Sequence, residues 1–500
     1  MGPSIVGGVA FVAYLRTLLP GIAFGDWGEM QTVPHVLGVA HPTGYPTYVL
    51  LAWLSELVPI GSVAFRANLL SAALVAIALA TATAIGERLG VRTMIAIAVG
   101  LALGAVGTVW AAATVAEVNP LHLALIALLL HRALVWEERR RPVDLAIGGL
   151  LIGLAAGNHL LTLFVAPFVV LFVLWAGRDE LLARPWLVLV AAGAGLVGLS
   201  VYLYIPIAAS LGPPLPYNHP TDLDGFWFLV SGQQFRSQFD FLSSNGPGEF
   251  VASLPAFWDV ATERATPILP LLGVAGLAIL VRRRPAFGLM LVAILVFGLY
   301  VWANYLRLEH YLLVPWLILA LGAGVAGEWL AASATSLLAH RIPPPADPGL
   351  AVGAIAVAGA IILGLTNWGG ADRSADRSGE AYVAGVFAAL PENAAILSEW
   401  DASTPLWHGQ HVLGERPDVL IVDDTNIVYE GWVTREARIA SLICERPIFI
   451  LRLRDGDLVP TSRDYDLESF MAVRIAAGGP SAVFEREIFR VLPRPGTCAA

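Results

Sequence analysis

Four side chains that can move a proton or hold a cation lie close together near the start of the chain. They are Asp26, Glu29, His35 and His41, in the stretch FGDWGEMQTVPHVLGVAH at residues 24–41. Two carboxylates and two imidazoles can supply a general base and the groups that orient it. Because the stretch lies between two apolar segments, it favours an active site at a membrane surface, although an interfacial loop with solvated charges would contain the same residues.

Further polar side chains lie at the ends of later apolar segments. We expect these ends on the same side of the membrane as the first loop, where an arginine could hold the phosphate of a lipid-linked leaving group. The same residues could instead satisfy one another inside a helix bundle. The candidates for substrate binding in this set are Glu117, Asn158, His159, Arg307 and His310.

A second long connection, residues 210–265, is rich in aromatic and polar residues. Gln234 and Arg236 lie in it close to Trp227, and planar donors beside an aromatic ring suit a sugar or a phosphate group. An interfacial belt would explain the tryptophan equally well. We therefore treat Gln234 and Arg236 as further candidates for substrate binding.

The composition indicates a polytopic membrane protein. Of the 500 residues, 57% are hydrophobic and only 14% are charged, and the mean hydropathy is +0.70, outside the range of soluble domains. The net charge of −9 leaves no basic stripe for nucleic acid. About 11 runs are apolar enough to predict transmembrane helices, at about 4–23, 66–87, 93–111, 117–135, 143–158, 159–176, 186–209, 266–281, 286–302, 311–332 and 348–366.

The basic residues predict the orientation. With the N-terminus in the cytoplasm, basic clusters such as Arg88 with Arg92, residues 139–141 and residues 282–284 all fall on the cytoplasmic side. We therefore expect a multi-pass protein of the plasma membrane. Its transmembrane catalytic domain would be residues 1–366, with a first outer loop at 24–65 and a second outer loop at 210–265.

The chain after Trp368 has a different character. Charges become frequent, and short strand-like runs near 394–398, 419–423, 447–452 and 483–492 alternate with turns, with one helix near 381–390. We expect a soluble extracytoplasmic α/β domain at residues 367–500. Cys444 and Cys498 both lie in it, and their spacing leaves open whether they are free or bonded.

Several motifs resemble a known enzyme family. The runs DWGEM at residues 26–30, GVAHPTGYPTYVLL at 38–51 and VAFRANLLSA at 63–72 are similar to the opening of the bacterial protein O-mannosyltransferase-like family, which belongs to the GT-C glycosyltransferase superfamily. The resemblance extends over about the first 240 residues and more loosely to RPDVLIVDD. It implies many transmembrane helices and an acidic catalytic residue in the first outer loop.

The resemblance also implies roles for individual residues. Asp26 corresponds to the general base and Glu29 to its neighbour in the acidic motif, while His41, Tyr45 and Arg66 match the signature that follows. The donor would be a polyprenyl-phosphate sugar, most simply of mannose, and the acceptor a hydroxyl of an extracytoplasmic protein or glycan. No cofactor is firmly implied, but two carboxylates would permit a divalent metal.

Two residues depart from the family pattern. Trp27 stands where the family commonly has a small residue and Tyr217 where it commonly has a tryptophan, so the sugar preference stays open.

A transporter or flippase of lipid-linked sugars is the alternative, but it would place ionisable groups at the bilayer midplane in paired broken helices. A non-catalytic receptor that binds partners through the C-terminal domain is a weaker hypothesis.

Overall fold

The structure, a computed structural model, consists of a helical bundle followed by a small sheet domain. It describes residues 1–238, 246–305, 307–338, 348–428, 430–454, 456–476 and 483–498. Residues 239–245 of the predicted second loop lie outside the described residues.

The first part of the bundle runs from the N-terminus to the second long connection. Its helices are α1 (Gly2–Thr17), α2 (Gly25–Thr32), α3 (Pro46–Glu56), α4 (Val63–Arg88), α5 (Thr93–Ala105), α6 (Gly107–Ala113), α7 (Val118–Arg139), α8 (Pro142–Ala156), α9 (Thr162–Ala176), α10 (Arg178–Ala183), α11 (Trp186–Leu199) and α12 (Tyr204–Ser210).

The second part of the bundle begins within that connection. Its helices are α13 (Leu223–Val230), α14 (Gly246–Arg264), α15 (Ile268–Arg283), α16 (Pro285–Asn304), α17 (Leu313–Leu338) and α18 (Pro348–Ala371). The connection predicted as an interfacial element is thus partly helical.

Fewer helices are long enough to cross a membrane than the sequence predicted. Each of the eleven apolar runs overlaps at least one helix, and the run 93–111 is divided between α5 and α6. In the described part of the chain six helices are long and apolar enough, and the bent pairs α5 with α6 (71°) and α14 with α15 (118°) raise this number to at most eight. The helices α1, α8 and α9 have only 16, 15 and 15 residues, below the length of about 20 that a span needs.

Small residues let neighbouring helices approach closely. A Cβ atom on Gly149 of α8 would lie 2.0 Å from the carbonyl oxygen of Ala191 in α11, and one on Gly276 of α15 would lie 1.7 Å from that of Gly322 in α17. Glycines at such crossings allow backbone packing, the main source of helix association in a membrane. In the most apolar part of the continuous helical segment Glu309–Leu338, which contains α17, 89% of the residues are buried, so this helix forms the centre of the bundle.

Ion pairs join the basic helix ends at one end of the bundle. Arg88 at the end of α4 pairs with Glu138 of α7, and Glu137 of α7 pairs with Arg284 at the start of α16. The basic clusters that the sequence assigned to one side of the membrane therefore lie together. The opposite end, which carries α2 and the sheet domain, is called the domain-facing side below.

Among the described residues, the sheet domain has five strands in the order β2-β1-β3-β5-β4. β1 pairs in parallel with β2 and β3, whereas β5 is antiparallel to β3 and β4. Its elements are α19 (Ser378–Ala389), β1 (Ala395–Ser398), α20 (Trp400–His411), β2 (Leu420–Asp423), α21 (Arg435–Leu442), β3 (Ile448–Arg452), α22 (Val459–Asp464), β4 (Tyr465–Ala476) and β5 (Val483–Pro493).

Four of the five strands agree with the sequence prediction, and β4 does not. β1 and β3 are almost fully buried and read as short continuous apolar runs. β4 is the edge strand beside β5, carries charged residues, and has an irregularity between Ser469 and Met471. Because one face of β4 is solvated and its register shifts, its alternation does not stand out in the sequence.

Cys444 and Cys498 form a disulfide across 54 residues of sequence. Replacing both by serine, or adding a reductant to the wild type, is expected to lower the free energy of unfolding by about 2–4 kcal/mol, because the open chain gains conformational freedom when unfolded. The measurement is unfolding of the full-length protein in detergent with and without reductant. The double variant should not respond to reductant; a wild type that also fails to respond would contradict the bonded state.

The sheet domain shares a hydrophobic core with the first loop. Ile22 and Phe24 are buried among Tyr382, Val386 and other residues of the domain, and the rings of Phe24 and Tyr382 lie 5.4 Å apart. A Cβ atom on Gly379 would lie 2.1 Å from the carbonyl oxygen of Ile22. The domain thus fixes the position of the loop that carries the predicted catalytic residues.

Candidate active site

The helix α2 presents Asp26 and Glu29 on one face. Residues three apart on a helix are neighbours, and here Asp26 is exposed whereas Glu29 is only 1% exposed. The helix begins at Gly25, which adopts φ of 61°, a conformation that glycine takes at little cost. A Cβ atom on Gly25 would also lie 2.4 Å from Oδ1 of Asp401 in α20. The sequence predicted both carboxylates, and the structure gives them different surroundings.

Glu29 and His41 form a buried pair. The backbone N–H of His41 donates to Oε1 of Glu29 at 2.7 Å, and Nδ1 of the same histidine bonds Oε2. The Tyr45 hydroxyl lies 3.2 Å from Nε2 of His41 and donates to the Pro42 carbonyl at 2.9 Å. Burial alone would lower the pKa of His41, but the carboxylates of Glu29, Asp26 and Glu117 raise it to about 9. His41 therefore places a positive charge beside Asp26 at neutral pH.

A buried amide network fixes the base of the loop. Gln31 donates to Oδ1 of Asn68 at 2.9 Å, and Nδ2 of Asn68 donates to the Leu19 carbonyl at 2.8 Å. The backbone N–H of Ala116 also donates to Oδ1 of Asn68, at 2.7 Å. Asn68 thereby ties α2 to the start of α4 and to the turn before Glu117, and such satisfied buried networks hold one arrangement.

Glu117 closes one wall of the site. Its Oε2 accepts the indole N–H of Trp27 at 3.1 Å, while Oε1 accepts the N–H of Val118 at 2.9 Å and an amide hydrogen of Asn119 at 3.1 Å. Trp27 also packs beneath the guanidinium of Arg373, 4.7 Å from its ring centre. The tryptophan that departs from the family pattern therefore has a structural partner on the neighbouring wall.

Histidine and tyrosine rings form the opposite wall. The ring of His159 lies 5.9 Å from those of Tyr45 and Tyr311 and 5.6 Å from that of His122. The His310 ring lies 4.6 Å from that of Tyr311. His122 of α7 is thus next to His159. Asn158 is fully buried and donates to the Val118 carbonyl at 3.0 Å, so it joins the α8–α9 turn to α7.

The sheet domain contributes Trp400, which sequence reasoning missed. Its indole N–H donates to Oδ1 of Asp26 at 2.7 Å, and its ring lies 5.7 Å from that of His41 and 5.9 Å from that of Tyr217. The available signal was its position: the parallel strand β1 ends at Ser398, and residues just after such strand ends commonly form sites. Burial, with Asp26 and Glu399 acting in the same direction, raises the pKa of the adjacent Asp401 to about 6.

The remaining predicted residues have partners away from Asp26. His35 pairs with Glu56 at 2.8 Å, and Arg307 pairs with Glu249. The Arg66 guanidinium donates to the carbonyls of Ile60 and Gly61 at 3.5 and 3.3 Å. Gln234 donates to the Tyr217 hydroxyl at 2.8 Å and so reaches the Trp400 neighbourhood through Tyr217. Arg236 is exposed on the same connection.

Asp26, Glu29 and His41 lie close enough together to be candidate ligands for a divalent cation. One ligand atom from each lies within 4.8 Å of the others, and carboxylate and imidazole are suitable ligands for such ions. However, both oxygens of Glu29 already accept hydrogen bonds from His41. A metal bound there would therefore share the Glu29 carboxylate with the hydrogen bonds from His41.

Two solved structures have the same fold as this chain. Crystal structures of ArnT from Cupriavidus metallidurans, one bound to undecaprenyl phosphate and one in the apo state, superpose with TM-scores of 0.56 and 0.57 at 12% sequence identity. The first covers 99% of this chain and 98% of ArnT, and the second 97% of each. The chain has the GT-C fold, as the sequence predicted.

Sequence comparisons show similarity to one family of O-mannosyltransferases. Residues 26–182 match the family model described as the Protein O-mannosyl-transferase TMEM260 N-terminal domain. Protein O-mannosyl-transferase TMEM260 of Mus musculus is 33% identical over 209 residues, which are 40% of this chain and 29% of the mouse protein. The Dictyostelium discoideum protein of that name is 28% identical over 225 residues, 40% of this chain and 26% of its own.

These matches confirm the predicted resemblance to the protein O-mannosyltransferase-like family. They lie where the quoted motifs lie, from Asp26 through the first spans. The matched region amounts to less than a third of the length of either curated relative. The activity, donor and acceptor of this chain are therefore proposed below from its own residues.

Proposed function

We propose that this protein is a membrane glycosyltransferase that moves a sugar, most simply mannose, from a polyprenyl phosphate to a hydroxyl of an extracytoplasmic protein or glycan. The observation that carries the proposal is the exposed Asp26 carboxylate beside the buried Glu29–His41 pair. The family similarity in this region and the GT-C fold support it. ArnT is described with undecaprenyl phosphate bound, which supports a lipid-linked donor.

The reaction we propose is a single displacement with inversion at the anomeric carbon. The acceptor oxygen bonds to this carbon as the bond to the phosphate oxygen breaks, and the polyprenyl phosphate leaves as an anion. The acceptor proton passes to Asp26, the one exposed carboxylate of the Asp26, Glu29 and His41 group. A positioned base of this kind contributes about 10²–10⁴-fold to a rate.

Cationic groups would stabilise the departing phosphate. His41 carries a positive charge at neutral pH because the nearby carboxylates raise its pKa to about 9, although burial alone would lower it. Arg307 remains a candidate for the phosphate, but its partner Glu249 would have to give way first. His159 and His310 lie on the wall beyond Tyr45 and are candidates for the sugar or the phosphate.

We also propose that the domain-facing side is extracytoplasmic. The basic helix ends gather at the opposite end of the bundle, through pairs such as Arg88–Glu138, and such clusters favour the cytoplasm. The Cys444–Cys498 disulfide supports the same orientation, because disulfides persist in oxidising compartments. The reaction of the lipid-linked donor then takes place at the extracytoplasmic surface of the plasma membrane.

The test uses full-length protein in vesicles that contain a polyprenyl phosphate with radiolabelled mannose. With a threonine-rich acceptor peptide outside, we expect label on the peptide, released polyprenyl phosphate, and slow release of free mannose when the peptide is omitted. Movement of labelled lipid between leaflets without any glycosidic product or hydrolysis would instead favour the flippase. Neither transfer nor movement would reject both functions for this donor.

A further inference from the structure

We propose that Trp400, in the sheet domain, is the residue that positions the Asp26 carboxylate for proton transfer, so that the catalytic site is completed by the C-terminal domain. This inference rests on the proposed function, because it assigns Asp26 as the base. Trp400 acts through Asp26 and is a positioning residue.

The hydrogen bond from Trp400 fixes the orientation of Asp26. The Trp400 indole N–H donates to Oδ1 at 2.7 Å, a length typical of a bond to a charged acceptor. No hydrogen bond to Oδ2 from the described residues accompanies it, so Oδ2 is available to an acceptor hydroxyl. An exposed aspartate without this bond would sample several rotamers, and small misplacements of a reacting group can cost about 10²-fold in rate.

Trp400 is itself held from several directions. Its backbone N–H donates to Oγ1 of Thr425 at 3.0 Å, at the start of α20. Its ring makes edge contacts with His41, Tyr217 and Trp407, with centroid distances of 5.7, 5.9 and 5.5 Å. An indole confined in this way loses little further freedom when it donates to Asp26, so the hydrogen bond is pre-organised.

A series of hydrogen bonds joins the surroundings of Trp400 to the second long connection, residues 210–265. Tyr217 donates to Oδ1 of Asn426 at 2.6 Å and accepts from Gln234 at 2.8 Å. Nδ2 of Asn426 donates in turn to the buried Asp423 at 2.6 Å. The segment after β2 thus anchors both Trp400, through Thr425, and Tyr217, through Asn426.

The two helices that carry the pair are packed against each other. A Cβ atom on Gly28 of α2 would lie 2.8 Å from Oγ1 of Thr404 in α20, so glycine is needed for this approach. Oγ1 of Thr32 also lies 3.2 Å from Nδ1 of the buried His408. The relative placement of Asp26 and Trp400 therefore follows from tertiary packing that does not depend on their own hydrogen bond.

The kinetic test compares Trp400→Phe with Trp407→Phe in the full-length protein. Trp400→Phe keeps an aromatic ring beside His41 and removes the N–H, so we expect kcat to fall about 10- to 100-fold while KM for donor and acceptor stays within about 2-fold. Trp407→Phe, in the same helix, keeps the ring that packs against Trp400 and should retain wild-type kcat. Wild-type kcat in Trp400→Phe, an effect confined to KM, or an equal loss in Trp407→Phe would overturn the inference.

A second measurement does not require activity. In protein labelled with ¹⁵N at tryptophan, the indole N–H resonance lost in Trp400→Phe identifies Trp400 among the 15 tryptophans. We expect it to move upfield in Asp26→Ala, which has no acceptor, and an unchanged resonance would overturn the hydrogen bond. If Asp26→Ala shifts the resonance but the wild-type protein transfers no sugar, the contact is confirmed and the proposed function is rejected.

Discussion

Asp26→Asn is expected to lower sugar transfer by about 10³-fold, within the range of about 10²–10⁴ for a lost general base. Asparagine keeps the shape of the side chain and an oxygen that can accept from Trp400, whose indole donates to Oδ1 at 2.7 Å. It cannot take the acceptor proton. The loss should therefore appear in kcat, with unchanged thermal unfolding and unchanged affinity for polyprenyl phosphate.

Asp224→Asn is the matched control for this experiment. Asp224 is also an exposed aspartate in the first turn of a short helix, α13, and the proposed chemistry gives it no role. We expect wild-type turnover in this variant. Turnover of Asp26→Asn within about 10-fold of the wild type would exclude Asp26 as the base, and a comparable loss in both variants would point to a general effect of removing negative charge.

The local part of the site could be predicted from the sequence. Asp26 and Glu29 are three residues apart on one short helix, and His41 follows within the same loop, so the motif itself contains most of the group. The apolar helices could also be predicted, because a helix that faces lipid or a buried core consists mostly of apolar residues. Which of these helices are long enough to span was less visible, since a bend such as that of 71° between α5 and α6, inside the predicted run 93–111, depends on tertiary contacts.

The long-range part could not be predicted in this way. Trp400 lies 374 residues from Asp26 in sequence, and nothing in its neighbourhood encodes which carboxylate it meets. Likewise, the sequence shows that Glu29 and His41 can titrate but not that they are buried together, and Arg307 reads as an available cation although it is paired with Glu249. The contact between Trp400 and Asp26 depends on how the sheet domain packs against the segment that carries α2, through residues such as Phe24.

Neutralising Glu29 or His41 singly is expected to lower the free energy of unfolding by about 3–5 kcal/mol, because each change leaves the other member of a buried pair without its partner. The side chains of His41 and Glu29 are 14% and 1% exposed. The double variant Glu29→Gln with His41→Asn should lose less than the sum of the two single losses. The measurement is a double-mutant cycle on unfolding of the full-length protein in mixed micelles.

The pair His35–Glu56 provides the control, because it has the same chemistry in the same loop but is less buried, with side chains that are 37% and 7% exposed. Its coupling energy should be within about 1 kcal/mol of zero.

The carboxylates of Glu29, Asp26 and Glu117 outweigh the effect of burial and raise the pKa of His41 from 6.5 to about 9. The charged histidine therefore stabilises the fold fully below about pH 6.5, and this contribution disappears as the pH rises through 9. A coupling energy for Glu29–His41 no larger than the control, or one independent of pH over this range, would show that the two residues are not joined as a charged pair.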